Sequence, residues 1–140
     1  MADRKNQVPE VPARYFNREL SWLAFNERVL DQAFSKHYPL LERTRFLSFV
    51  SSNLDQFYEI RVAGLMQKVD AGITRLSLDG STPQGLLEEV RQRAKSMSQR
   101  EYACWRESLQ PALAKNGVLF KSIEQLSKSE FTWLRAYFRR

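Results

Sequence analysis

Apolar residues recur at intervals of three and four along most of this chain, which is the spacing of amphipathic α-helices. The first such pattern follows Asn17, a residue type that caps helices, and predicts a helix through about Ser35. Because this pattern carries two adjacent apolar stripes, we expect the helix to be central and packed on two sides. The stripes are Leu20, Leu23, Leu30 and Phe34, and Trp22, Phe25, Val29 and Ala33.

A second apolar pattern follows Pro39, which suits the first turn of a helix, and continues to Val69. The polar triplet Ser51-Ser52-Asn53 interrupts it. Ser52 followed by Asp55 matches a capping box, so the pattern favours a new helix beginning here, or a distinct kink in one helix. A helix N-terminus at this point would offer free N–H groups to a phosphate or a polar ligand edge.

The third pattern is the longest. Residues 72–81 form a predicted linker that contains a turn signal, Asp79-Gly80, and Thr82-Pro83 has the composition of a helix start. From there we expect a helix to about Gln110, with Pro111 ending or kinking it. Asn116-Gly117 then predicts the close of the last turn.

Together these patterns predict an all-α fold, an antiparallel bundle of about four to five helices. Residues 1–16 contain two prolines and no period, and predict a flexible arm; 17–116 form the bundle; 117–140 are a connection and the start of a following domain. Ser127 and Glu130 form another capping box and open a helix whose aromatic stripe continues to the last residues. We therefore expect this chain to be cut from a longer protein.

The charge of the chain changes this picture little. Its 22 basic and 16 acidic residues give a net charge of +6, which favours anionic partners in a general way. Basic and acidic residues are interleaved along the chain, however, whereas nucleic-acid modules concentrate positive charge on one face.

One cysteine, Cys104, cannot form an internal disulfide, and we expect a reducing cytoplasm. No apolar run approaches the roughly 20 residues of a membrane span, and the first nineteen residues do not resemble a signal peptide.

Motifs for catalysis are missing from the sequence. It has no glycine-rich phosphate loop, no dinucleotide fingerprint and no cysteine pair at metal-ligand spacing. The single histidine, His37, precedes Tyr38-Pro39 and is expected to be an exposed loop residue. A single histidine and a single cysteine argue against a transition-metal site, because such sites need several His or Cys ligands. Acidic residues at 88, 89, 101 and 107 alternate with arginines and predict surface ion pairs. We expect no catalysis from this chain alone.

Asn53 is the candidate ligand residue. Its amide carries a donor and an acceptor, which is the pair needed to bind an adenine edge, but the residues by themselves favour a helix-capping role for Asn53 or Ser52. Arg61 could bind an anion or form an ion pair, with Glu59 or with a partner surface, and of these we expect the ion pair. The aromatic residues at helical spacing favour core packing over stacking on bases. They are Trp22, Phe25, Phe46, Phe49, Phe57 and Tyr58.

Several ordered blocks resemble the N-terminal domain of the polyphosphate kinases that work through a phosphohistidine. The similarity extends from Tyr15 to Phe138, and Gln56 departs from it where the family usually has an acidic residue. The strongest blocks are Asn17-Arg-Glu-Leu-Ser-Trp-Leu-Ala-Phe-Asn-Glu-Arg-Val-Leu30 and Pro39-Leu-Leu-Glu-Arg43, followed by Arg45-Phe-Leu47, Ser51-Ser-Asn-Leu-Asp55 and Arg61-Val-Ala-Gly-Leu65.

This resemblance implies an enzyme that reversibly transfers the terminal phosphate of ATP to inorganic polyphosphate, with Mg²⁺, through a histidine in C-terminal domains that the chain lacks. It implies that the helical domain forms one wall of the ATP pocket and that Asn53 contacts the nucleotide. No catalytic or metal-binding residue is expected here. The implied partners are ATP or ADP, polyphosphate, the remaining domains and a second copy of the enzyme, in the cytoplasm or peripherally on a membrane; nucleic acid is not expected.

Two other functions stay open at this point. The first is a structural or oligomerisation module whose polar triplet is only a helix cap. The second is a basic helical RNA-binding module, against which the scattered charge argues.

Overall fold

The computed structural model describes residues 15–139, and every regular element in that range is helical. The all-α prediction is therefore confirmed. The predicted arm, 1–16, lies almost entirely outside the described residues. The elements are α1 (Arg18–Phe34), α2 (Leu40–Phe57), α3 (Ala63–Asp70), α4 (Pro83–Ala103), α5 (Gln110–Lys115) and α6 (Lys128–Tyr137), with π-helical segments at Tyr58–Val62 and Cys104–Leu109 and a 3₁₀ turn at Ile123–Gln125.

The described residues contain three long continuous helical stretches, which we call rods. The first rod is α1. The second covers 40–70 and the third covers 83–115, and in each of these two a π-helical segment joins neighbouring α-helices. Trp22 stacks on Phe57 with ring centroids 4.5 Å apart, and Arg43, near the start of the second rod, donates to the carbonyl of Ala33 near the end of α1. The first two rods are therefore antiparallel. With α6, which stands apart, the described residues form four rods, within the predicted four to five.

The prediction that a helix begins at Ser52 is wrong. Ser51, Ser52 and Asn53 lie in the interior of α2, where each backbone N–H is bonded to the carbonyl four residues earlier. The buried positions Val50, Leu54 and Phe57 continue their helical period through the triplet, and packing on both sides keeps the helix intact. There is consequently no positive helix end at this point to attract a phosphate.

Each long rod contains one five-residue step between buried positions. Phe57 and Val62 bracket the first π-helical segment, and Cys104 and Leu109 bracket the second. A π-helical turn accommodates one extra residue, so it restores the apolar stripe to the core after such a step. The second segment ends just before Pro111, which has no N–H to donate. The rod continues past this proline to Lys115, five residues beyond the predicted end.

The predicted caps are confirmed where the rods begin and end. Asn17 Oδ1 accepts from the N–H groups of Glu19 and Leu20 at 2.9 and 3.1 Å, and Thr82 Oγ1 accepts from Gly85 at 3.1 Å. Gly117, at φ +83°, closes the third rod in the left-handed conformation that glycine adopts without strain. Ser127 caps α6 with a complete capping box, as predicted.

The core lies between the three rods, whereas α6 contributes no buried residue. The ring of Trp105 meets that of Phe120 at 4.9 Å, which ties the segment after Gly117 to the bundle. The aromatic side chains of α6 and its end are exposed: Phe131, Trp133, Tyr137 and Phe138. Among the described helices, none is both long and apolar enough to span a bilayer.

Candidate functional site

The polar triplet of α2 sends its side chains in different directions. Ser51 donates to the Glu101 carboxylate on α4, Ser52 is exposed, and Asn53 Nδ2 donates to Asn26 Oδ1 on α1 at 2.9 Å. The two partnered side chains therefore connect α2 to its two neighbours. The polarity of the triplet is explained by these tertiary hydrogen bonds and not by helix capping.

Asn26 is the fully buried polar side chain among the described residues. Its Nδ2 donates to the carbonyl of Val50 at 3.2 Å and contacts Met97 Sδ at 3.4 Å. A backbone carbonyl can only accept, so the amide nitrogen of Asn26 must face Val50 and its oxygen must face Asn53. This sets the orientation of Asn53 as well, because only the Asn53 amide nitrogen can donate to that oxygen.

Asn53 is half-buried and keeps binding capacity after this bond. One N–H of its Nδ2 is used by Asn26; the other N–H, and Oδ1, make no hydrogen bond within residues 15–139. The side chain thus offers one donor and one acceptor at the edge between α1 and α2. This is the donor–acceptor pair that an adenine edge requires.

Two aromatic rings near this edge are less buried than predicted. Phe49, one turn before Asn53, is 47% exposed, and Phe25, beside Asn26 in the sequence, is 49% exposed. The core-packing prediction is confirmed for Phe57, Trp22 and Phe46 and is wrong for these two rings and for Tyr58, which is also exposed. The guanidinium groups of Arg28 and Arg45 lie 5.9 and 6.0 Å from the Phe25 and Phe49 ring centroids, so each ring carries a cation beside it.

On its other side, α2 borders a cavity of about 540 Å³ against α4. Ser51, Asp55 and Glu101 lie among its lining residues. Burial raises the pKa of Glu101, the hydrogen bond from Ser51 opposes this, and the charge of Asp55 adds to it. Glu101 was expected to form a surface ion pair, but Arg100 pairs instead with Asp31 at 2.7 Å.

A second groove, of about 500 Å³, lies near the N-terminal ends of α1 and α4. Arg61 lines it and is half-buried. The predicted ion pair of Arg61 with Glu59 is wrong, since Arg61 meets no carboxylate within the described residues at ion-pair distance. Glu59 and Arg61 are two residues apart in a helical segment, and side chains at that spacing do not face each other.

The remaining candidate groups offer little chemistry. His37 is exposed between α1 and α2. Cys104 is buried, and burial raises the pKa of its thiol, which leaves it protonated and unreactive. Within residues 15–139 no three His, Cys, Asp or Glu side chains converge on a possible metal position.

Two structural roles escaped the sequence reasoning. Asn26 occupies an otherwise apolar stripe between Leu23 and Leu30, and a lone amide on such a stripe signals a buried hydrogen bond. Arg43 donates to the carbonyl of Ala33 at 2.8 Å and to Ser108 Oγ at 2.9 Å, so it links all three rods. No local pattern indicates these long-range partners of Arg43.

The chain matches a family model. The model for the family described as polyphosphate kinase N-terminal domain matches residues 15–121. This range contains all three rods and both asparagines of the site. No solved structure matches the chain.

Curated relatives carry the same name. The chain is 49% identical over 125 residues to a polyphosphate kinase of Erythrobacter litoralis and 45% identical over 129 residues to one of Prosthecochloris aestuarii. It is 43% identical over 130 residues to polyphosphate kinase 1 of Chlorobaculum tepidum. These alignments cover 89%, 91% and 92% of the chain but 17%, 18% and 19% of the relatives. The chain thus spans less than a fifth of the length of the relatives that it matches.

Proposed function

The chain belongs to the family of polyphosphate kinase N-terminal domains, and from this premise we propose that it forms one wall of the ATP pocket of a longer polyphosphate kinase. Asn53 contacts the adenine base in this proposal. The enzyme reversibly transfers the terminal phosphate of ATP to the end of an inorganic polyphosphate chain. Its catalytic histidine lies in segments that follow this domain.

The observation that carries the proposal is the orientation of the Asn53 amide. Asn26 accepts a hydrogen bond from one N–H of Asn53, so Oδ1 and the second N–H of Asn53 remain for a ligand. Adenine presents an amino group beside a ring nitrogen, which complements this pair. Guanine presents a carbonyl oxygen in place of the amino group, and that oxygen would face Asn53 Oδ1. A contact with the base edge that carries N7 therefore favours ATP over GTP.

The half-exposed rings of Phe25 and Phe49 support the same proposal. An aromatic side chain near a residue that hydrogen-bonds a base gives that base an apolar surface to contact. Stacking of a base on an aromatic ring contributes about 1–3 kcal/mol in other proteins. The arginines beside these rings add positive charge near a nucleotide. A wall of this kind orients ATP while groups elsewhere act on the phosphates.

Magnesium is expected to be held elsewhere in the enzyme. Asn53, Asn26 and the two rings offer no carboxylate to a hard divalent cation, which prefers oxygen ligands of that type. We assign no step of the transfer to a metal bound by the described residues. The contribution of this domain is to bind and orient the base.

An ATP titration of the 140-residue chain tests the contact. We expect saturable NMR shifts in the amides around Asn53 and in its side-chain amide, with adenosine shifting the same signals. Losing two neutral hydrogen bonds costs about 1 kcal/mol each, so Asn53→Ala should weaken binding roughly thirtyfold. Ser52→Ala is the matched control, since Ser52 is exposed and adjacent. Equal shifts in wild type and Asn53→Ala would remove Asn53 from the contact, and the absence of saturable shifts in wild type would favour a structural module without a nucleotide site.

A further inference from the structure

The groove near the N-terminal ends of α1 and α4 is lined by positive side chains. It lies between the start of α1, α3, the connection before α4 and the first turn of α4, and it has a volume of about 500 Å³. Its positive lining residues are Arg18, Arg61, Lys68 and Arg75. Arg61, Lys68 and Arg75 belong to one stretch of fifteen residues, and the fold brings Arg18, at the start of α1, to the same groove.

Few negative groups balance this charge. Glu19 also lines the groove and pairs with Arg18 at 3.4 Å. Asp79 lies nearby, and its carboxylate accepts from Asn17 at 2.7 Å and from Ser81 at 2.9 Å. The other three cations, those of Arg61, Lys68 and Arg75, form no ion pair with a carboxylate of the described residues. The groove therefore carries a net positive charge.

Apolar side chains line the same groove beside these cations. Ile60, Leu65 and Leu86 contribute to its walls, and Leu65 and Leu86 are buried. A cleft with one sign of charge and low-dielectric walls concentrates the electric field and attracts ions of the opposite sign. A multivalent anion gains from this arrangement more than a single-centred one, because its charges can lie near several cations at once.

We propose that this groove binds a linear chain of phosphates. The identification of the ligand rests on the proposed function, in which the enzyme handles inorganic polyphosphate. Arg61 follows Asn53 by eight residues, about 12 Å along the rod, so the groove is a separate place from the adenine contact. Two sources share this chemistry: free polyphosphate and the triphosphate tail of a nucleotide.

Tripolyphosphate is the probe, with sulfate as a single-centred anion for comparison. Calorimetric titration of the 140-residue chain should give saturable binding of tripolyphosphate that is stronger than that of sulfate. Lys68→Gln combined with Arg75→Gln removes two unpaired cations and should raise the Kd about tenfold. Arg61→Gln alone should weaken binding in the same direction. Both residues of the double variant are exposed, so the fold should be retained, with an unchanged melting temperature as the check.

The matched control removes the same charge elsewhere. Arg91→Gln with Lys95→Gln alters two exposed residues of α4 that do not line the groove, and should change the Kd less than about twofold, since separated surface charges are screened. Equal weakening in both double variants would overturn the proposal, because it would reflect net charge alone. Absence of saturable tripolyphosphate binding would overturn it as well.

A competition experiment identifies the source of the phosphate chain. If ATP displaces tripolyphosphate and the groove variants weaken both equally, the tail of the nucleotide occupies the groove; if ATP does not displace it, inorganic polyphosphate is the ligand. Both results retain a phosphate-chain site. Tripolyphosphate contains no base, so its failure to bind leaves the Asn53 proposal intact, and a failure of adenine binding leaves the groove intact.

Discussion

At the scale of single residues, the buried amide of Asn26 determines the orientation of the Asn53 side chain. It donates to the backbone of α2 and accepts from Asn53, and thereby fixes which atom of the Asn53 amide remains as an acceptor. Polar groups in an apolar core require partners, since an unsatisfied one costs about 1–3 kcal/mol. The proposed function therefore couples stability and nucleotide binding through one hydrogen bond, that between Asn53 and Asn26.

This coupling predicts the outcome of a double-mutant cycle. Asn26→Ala should lower the free energy of unfolding by about 2–4 kcal/mol, because it loses hydrogen bonds and leaves a cavity. Asn53→Ala should cost about 1 kcal/mol, and the pair should be non-additive by a similar amount. Urea denaturation measures all three variants. Combining Asn26→Ala with Ser52→Ala should be additive; additivity of the Asn26 and Asn53 substitutions would contradict the hydrogen bond.

The raised pKa of Glu101 predicts a dependence of stability on pH. The folded protein holds this proton more tightly than the unfolded chain, so stability falls as pH rises from about the ordinary value of 4.5 through the raised one. Glu101→Gln retains an acceptor for Ser51 and cannot ionise. We expect it to unfold at a higher temperature than wild type at pH 7, and to lose less stability between pH 4 and 7.

Glu107→Gln provides the control for this pH effect. Glu107 is exposed in the same rod, and its substitution should leave the pH profile of the melting temperature unchanged. A Glu101→Gln variant with the wild-type profile would show that the Glu101 charge carries no penalty in the folded protein.

At the scale of elements, the two π-helical segments explain why the second and third rods are continuous. Each of these rods has a five-residue step in its apolar spacing, and a π-helical turn accommodates that step. The sequence contained this signal, a five-residue step at Phe57 to Val62 and at Cys104 to Leu109. Counting Tyr58 as a core position hid the first step, and Tyr58 is 40% exposed. Caps at Asn17 and Thr82 were predictable because they depend on adjacent residues. The interruption at Ser52 was wrong because tertiary partners, rather than local ones, satisfy the triplet.

The extra residue of the first π-helical segment should be dispensable. Deleting exposed Glu59 shortens the five-residue step to four, which an ordinary α-helix accommodates, so the loss in unfolding free energy should be below about 1 kcal/mol. Deleting exposed Gln92, in regular α4, rotates the following buried residues by about 100° and should cost several kcal/mol or abolish folding. Circular dichroism with urea measures both. Equal damage from the two deletions would contradict this account.

At the scale of the whole molecule, the core lies between the three rods. The segment after Gly117 contacts the third rod through the Phe120 ring against Trp105 and through the Val118 N–H, which donates to the Leu113 carbonyl. The exposed aromatic side chains of α6 fit the expectation that residues 117–140 connect to a following domain, which stays a prediction. Fold class and rods could be predicted from periodicity. The Asn26–Asn53 pair could not, because the two residues are distant in sequence and meet only through packing. The groove could not either, because it depends on the packing of α1 and α4 against the stretch that carries Arg61, Lys68 and Arg75.

A truncation tests this division. A chain ending at Gly117 should keep an unfolding free energy within about 1 kcal/mol of the 140-residue chain, because the removed segment buries little apolar surface. A chain ending at Ala103 loses the buried residues Cys104, Leu109 and Leu113 and should be strongly destabilised. If the first truncation unfolds, α6 belongs to the cooperative unit and the boundary at 117 is misplaced.

The most direct test of the central claim, that Asn53 reads the adenine of ATP, is polyphosphate synthesis by the full-length enzyme with ATP and with GTP. We expect wild type to prefer ATP, and Asn53→Ala to lower kcat/KM for ATP about thirtyfold, through the loss of two hydrogen bonds, while leaving that for GTP unchanged. Ser52→Ala should leave both values unchanged. Equal losses for the two nucleotides, or no loss for ATP, would contradict the claim and leave Asn53 as a partner of Asn26 alone.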